Sequence, residues 1–155
     1  MSIIYSKGFK TFSRIICFIL FIIYLTILSN VLFFNYKYGR VSGDKSYNLE
    51  PFKTINNYIK YRQSVSDAID IRNILGNILA FMPMGFFIPL LSKKTRFFIK
   101  IIIISAITSL LVEVIQYKFA VGSFDVDDII LNTLGGFIGY ICYKIAHSIY
   151  YLNEQ

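Results

Sequence analysis

Hydrophobic and polar positions alternate along this chain in long blocks. Lys7, Lys10 and Arg14 precede an uncharged run from Ile15 to Phe34, and twenty residues at about 1.5 Å each cross a hydrocarbon layer of roughly 30 Å. Comparable apolar runs fall at 74–91, 97–115 and 129–146, and the stretch 35–73 between the first two is polar. The pattern predicts an all-α integral membrane protein: a bundle of four transmembrane helices with one long extracytoplasmic loop, forming a single domain over 1–155. The first run is longer than a signal-peptide core and has no small-residue cleavage site, so it is expected to remain as an anchor.

Finer spacing adds detail within each block. In the loop, Gly39, Gly43, Asp44 and Pro51 are turn signals. Phe52, Ile55 and Ile59 recur at helical spacing among Lys53, Lys60 and Arg62, which predicts a short amphipathic helix in the headgroup region, with a disordered loop as the other reading. Pro83 cannot donate to the carbonyl of Leu79, so a kink is expected in the second span. Asn73 and Asn77 share a face with Ala80 and Met84, a pattern that serves either interhelical hydrogen bonding or ligand binding. In the third span Ser105, Ser109, Glu113 and Gln116 recur down one face, which must point into the bundle. Glu113 lies about 18 Å along the helix from Ile101, and an ionisable residue at such depth is a functional-site hypothesis. In the fourth span Asp125, Asp128 and Asn132 share a face that continues through Gly135, Gly136 and Gly139. That bare stripe, with GxxxG spacing, predicts close helix packing. His147 has no partner at ligand spacing and is expected on the surface of a C-terminal extension.

Composition supports the membrane reading, with 55% hydrophobic and 16% charged residues. The net charge of +7 would raise nucleic acid as a partner if the basic residues formed a patch, but most sit beside apolar runs, where they set membrane orientation. The lipid bilayer is the expected partner, and no nucleic acid is. The flank before the first span and the turn between the second and third are basic and free of acids, whereas Asp125, Asp127 and Asp128 follow the third span. The positive-inside rule then puts both termini in the cytoplasm of a multi-pass cell-membrane protein. The long loop, with seven Lys and Arg against four acids, opposes this weakly and is placed outside by alternation. Cys17 and Cys142 sit inside apolar runs on the cytoplasmic side, where no disulfide is expected.

Under this topology Asn73, Asn77, Glu113, Gln116, Asp125, Asp127, Asp128 and Asn132 gather at the outer side as a candidate ligand-binding cluster. Asp125 as an N-cap with Asp128 at N3 would explain two of the acids structurally. It leaves Glu113, Gln116 and Asn132 unexplained. A structural polar cluster, a ligand or cation site and a catalytic site all stay open. No cofactor is expected apart from a divalent cation, for which Glu113, Asp125 and Asp128 are the candidate ligands, since hard cations take oxygen donors. No nucleophile with an adjacent base is present, so no catalytic residue is assigned.

Four motifs carry a resemblance: NLEPF at Asn48 to Phe52, NILGNILAFMPMGFFIPLL at Asn73 to Leu91, EVIQY at Glu113 to Tyr117, and FDVDDIILNTLGGFIGY at Phe124 to Tyr140. In this order they resemble the VanZ family of small bacterial membrane proteins, whose founding context is resistance to the glycopeptide antibiotic teicoplanin. Many members carry an arginine just before the FD pair. Val121, Gly122 and Ser123 stand there in this chain, so no role of that arginine transfers. The resemblance implies a cell-envelope protein linked to glycopeptide resistance through an outward-facing polar pocket for a lipid-linked or amphiphilic ligand. Two alternatives compete with it: a metal-dependent or acid/base enzyme acting on an envelope lipid, and a transporter or assembly partner, the latter resting on Glu113 and on a helix-mediated oligomer through GxxxG.

Overall fold

The computed structural model describes residues 7–33, 46–60 and 67–152. Along them run α1 (Lys7–Phe33), β1 (Tyr47–Asn48), α2 (Lys53–Lys60), α3 (Asp67–Leu91), a 3₁₀ turn (Lys93–Thr95), α4 (Phe98–Lys118), β2 (Phe124–Asp125) and α5 (Val126–Leu152). Four of the helices hold apolar spans of membrane length: Thr11–Phe33, Asn73–Leu91, Phe98–Lys118 and Val126–Tyr150. The four-span, all-α architecture expected from the apolar runs is therefore present. Of the long loop, 34–45 and 61–66 lie outside the described residues, and with them Gly39, Gly43, Asp44 and Arg62.

Outward-facing side chains explain why this bundle needs lipid. On α1 alone Ile15, Phe18, Ile19, Ile22, Ile23 and Ile27 are exposed. A face of that kind would drive aggregation in water and is at rest among acyl chains.

Side-chain contacts fix the direction of each span. Tyr24 donates to the carbonyl of Ala80 at 2.7 Å and the Phe21 ring lies 6.0 Å from Phe87, so α1 and α3 run antiparallel. Leu28, Leu32 and Val112 form one apolar cluster, and Gln116 donates to the carbonyl of Leu32 at 2.8 Å; α1 and α4 are parallel. A Cβ at Gly135 would overlap the carbonyl of Ile78, and one at Gly139 the carbonyl of Met82, which sets α5 parallel to α3 with the backbones in contact. The GxxxG face is thus occupied within the chain, by α3. Close Cα to carbonyl approach of this kind is a recurrent source of helix adhesion in lipid.

An up-and-down bundle follows, with two chemically distinct ends. At one end Lys93, Lys94 and Arg96 form the turn from α3 to α4. There Thr95 donates to the carbonyls of Ile88 and Ser92 at 3.0 and 2.8 Å, and Tyr140 to the carbonyl of Arg96 at 2.9 Å. Helix α3 runs on through Pro83 and Pro89 to reach that end. His147 lies within α5, half-buried, with its ring 5.4 Å from Tyr143, rather than on a surface extension. The opposite end gathers the C-terminus of α4 and the N-termini of α3 and α5. All the candidate residues belong to this polar end.

Candidate functional site

The polar end is assembled from helix termini whose orphan N–H groups need acceptors. Asp125 precedes α5 and accepts from the N–H of Asp127 at 2.9 Å through Oδ1, the geometry of an N-cap. In a capping box the N3 side chain would return to the cap's own N–H. Here the N3 residue Asp128 accepts from Asn77 Nδ2 on α3, and the N–H of Asp125 donates instead to Glu113 Oε2 on α4 at 2.9 Å. One capping box is shared between two helices.

The same segment also caps α2. Phe52 occupies the cap position of α2 with φ of 65°, a left-handed conformation uncommon for a bulky residue, and its side chain carries no capping group. Asp127 supplies the missing acceptor. Its Oδ1 accepts from the N–H of Phe52 and its Oδ2 from the N–H of Thr54 at 2.7 Å. Asp125 binds the same strap of chain: Asn48 Nδ2 donates to Oδ1 at 3.0 Å and Thr54 Oγ1 to Oδ2 at 3.1 Å. Parallel pairing of β1 with β2 sets Tyr47 beside Phe124 and Asn48 beside Asp125, so residues 46–54 lie across the N-terminus of α5.

Deeper in the bundle Asn132 Nδ2 donates to Ser109 Oγ at 2.8 Å, and the Asn132 Oδ1 and Ser105 Oγ atoms are buried without a hydrogen-bond partner among the described residues. Gln116 is buried, holds the end of α1 through Leu32, and would touch a side chain added at Gly122.

The structure therefore joins Glu113 to Asp125, Asp125 to Asp127, and Asn77 to Asp128. Gln116 and Asn132 lie buried in the α1/α4 and α4/α5 seams. Asn73 is exposed on α3 and forms none of these bonds. Asn48 and Thr54 are the partners that inspection of the sequence missed as site residues; Asn48 opens the NLEPF motif, and that was their only signal.

Electrostatically, Asp127 is 0% and Glu113 1% exposed, a burial that would be costly for an unsatisfied carboxylate. Both accept backbone N–H groups, and Asp127 sits at two helix N-termini at once, where the partial positive charge favours an anion. A divalent cation at Glu113, Asp125 and Asp128 would have to displace a backbone N–H from Glu113 Oε2, the Asp127 N–H and Asn48 amide from Asp125 Oδ1, and the Thr54 hydroxyl from Asp125 Oδ2. Among the described residues no group of three His, Cys, Asp or Glu is arranged to hold a metal ion.

No solved structure matches the chain. Protein VanZ of Enterococcus faecium is 30% identical over 137 residues, covering 86% of this chain and 75% of that protein. The VanZ/LLP1 family model matches residues 21–147, a range that runs from within the first span into the fourth and takes in every residue of the polar end. On these matches the chain belongs to the VanZ family.

Proposed function

We propose that this VanZ-family protein is a multi-pass protein of the cell envelope that lowers susceptibility to glycopeptide antibiotics of the teicoplanin type, and that it acts through its polar end. Family membership supports the resistance link. The separation of charge supports the placement: the turn that carries Lys93, Lys94 and Arg96 is free of acids, which by the positive-inside rule is the cytoplasmic signature and turns the polar end outward. Both termini are then cytoplasmic.

The observation that carries the site is the Asn77 to Asp128 bond. Glu113 Oε2, Asp125 and Asp127 each accept a backbone N–H and hold helix ends together, and Asp125 binds the Asn48 and Thr54 side chains of the strap as well. Asp128 binds a side chain on a neighbouring helix, and both partners are half-buried. A side-chain pair can exchange its hydrogen bond for one to a ligand without unmaking a helix end, and we assign Asn77 and Asp128 that role toward a lipid-linked or amphiphilic envelope ligand. The reading uses no cation and no second copy of the chain. The geometry gives the enzyme reading no specific support: where a hydroxyl meets a carboxylate, Thr54 Oγ1 on Asp125 Oδ2 at 3.1 Å, the bond ties the strap to the N-terminus of α5.

The test is a teicoplanin plate assay in a host with and without the gene. A higher inhibitory concentration with the gene is expected, and an unchanged one rejects the resistance reading.

A further inference from the structure

The strap formed by 46–54 turns its polar groups inward and its bulky apolar groups outward. Asn48 faces Asp125, and alternation along an extended segment sends its neighbours the other way: Tyr47 is 67% and Leu49 63% exposed. Phe52 is 51% exposed and sits in a left-handed conformation that is strained for a non-glycine residue. Facing water, this arrangement would carry strain while leaving a phenyl ring in solvent. Facing lipid, it is stabilising.

Three further observations identify the lipid. Pairing of Tyr47 with Phe124 sets the strap level with the residues just before the span that starts at Val126, the depth of the headgroup and acyl boundary. At the same end Phe119 is 66% exposed, continuing an aromatic rim of the kind found at membrane interfaces. Lys53, Lys60 and Lys118 are exposed there, as is Glu50, which pairs with Lys53 at 3.2 Å, while Asp127 and Glu113 are buried, so the exposed charge of the rim leans cationic, toward lipid phosphates.

We propose that the strap is a membrane-inserted wedge: Tyr47, Leu49 and Phe52 enter the acyl boundary of the leaflet at the polar end, held rigid by Asp125 and Asp127. The Asn77 to Asp128 pair then borders lipid, and its ligand arrives sideways through the leaflet.

The chain has no tryptophan, so Leu49→Trp and Phe52→Trp each provide a single probe, with Asn57→Trp on the exposed polar face of α2 as the reference. Each variant is reconstituted in phosphatidylcholine and phosphatidylglycerol vesicles carrying bromine at shallow or deep acyl positions, then titrated with aqueous iodide. For insertion of about 5–10 Å, both strap probes emit to the blue of the reference and are quenched more by shallow than by deep bromine and little by iodide. Iodide quenching equal to that of the Asn57→Trp reference overturns the proposal. Quenching by neither reagent overturns it as well, by showing protein, such as a second copy, over the strap. If Phe52→Trp disturbs the left-handed turn and loses its monodisperse profile in detergent, Leu49→Trp decides alone. No antibiotic enters the measurement, so its failure is distinct from failure of the resistance reading.

Discussion

The backbone N–H of Asp125 donates to Glu113 Oε2 at 2.9 Å, and this bond makes the intramembrane glutamate a capping residue for another helix. A carboxylate near the end of α4 completes the N-terminus of α5, which ties the turn between them without a salt bridge. The acceptor is what matters at that position, so Glu113→Gln should keep the bond and melt in detergent within about 1 kcal/mol of the parent. Glu113→Ala leaves the half-buried Asp125 N–H without this acceptor and should cost about 1–3 kcal/mol. Equal melting of the Ala variant and the parent would remove the shared cap.

Asp127 caps α2 from a distance, and its two oxygens take two different N–H groups. Asp127→Ala should destabilise α2 and the strap by about 1–2 kcal/mol. Asp127→Asn should also weaken them, because an amide has one acceptor and turns an NH₂ toward an N–H. The measurement is amide hydrogen exchange at Phe52 and Thr54, which should accelerate in both variants while the core of α5 stays protected.

Two glycines on the parallel helices α3 and α5 give a paired prediction. A Cβ at Gly139 would overlap the carbonyl of Met82, whereas one at Gly76 meets nothing within 4 Å. Gly139→Ala should therefore lower the detergent melting temperature clearly. Gly76→Ala should leave it unchanged or raise it, since alanine is better than glycine in a helix interior by roughly 0.5–1 kcal/mol. The reverse order would mean that α3 and α5 do not meet at these glycines.

Orientation is tested by thiol labelling in a background without Cys17 and Cys142. A cysteine at Ser46 or Ser123 should react with an impermeant reagent in intact cells, and one at Thr95 should not. Reaction at Thr95→Cys alone would invert the protein.

The spans were legible in the sequence because a run of apolar side chains long enough to cross a bilayer has few other uses. The inward polar face of α4 was legible for a related reason: Ser105, Ser109, Glu113 and Gln116 repeat at helical spacing, and all four are buried. Partners were harder to read. Glycine spacing from Gly135 to Gly139 announced close approach but not whether the neighbour would be α3 or another copy. Asp127 caps a helix 73 residues away, as counted to Thr54, and the cap position there is Phe52, which no capping preference would select. Asn73 stands apart from the bonded cluster. It shares a helical face with Asn77, yet one more turn toward the end of α3 leaves it exposed, because periodicity gives direction and not depth.

We propose that Asp128, held by Asn77, works as a functional group rather than as a tie between α3 and α5. Asp128→Asn retains a carbonyl acceptor for Asn77 while it removes the charge and exchanges the second carboxylate oxygen for an NH₂. Melting temperature in detergent and teicoplanin inhibitory concentration, measured on this one variant beside the parent, decide the matter. An unchanged melting temperature with resistance lost to the level of a strain lacking the gene is the expected result. Resistance retained in proportion to the amount of folded protein would contradict the claim and leave the polar end as a set of caps and interhelical bonds.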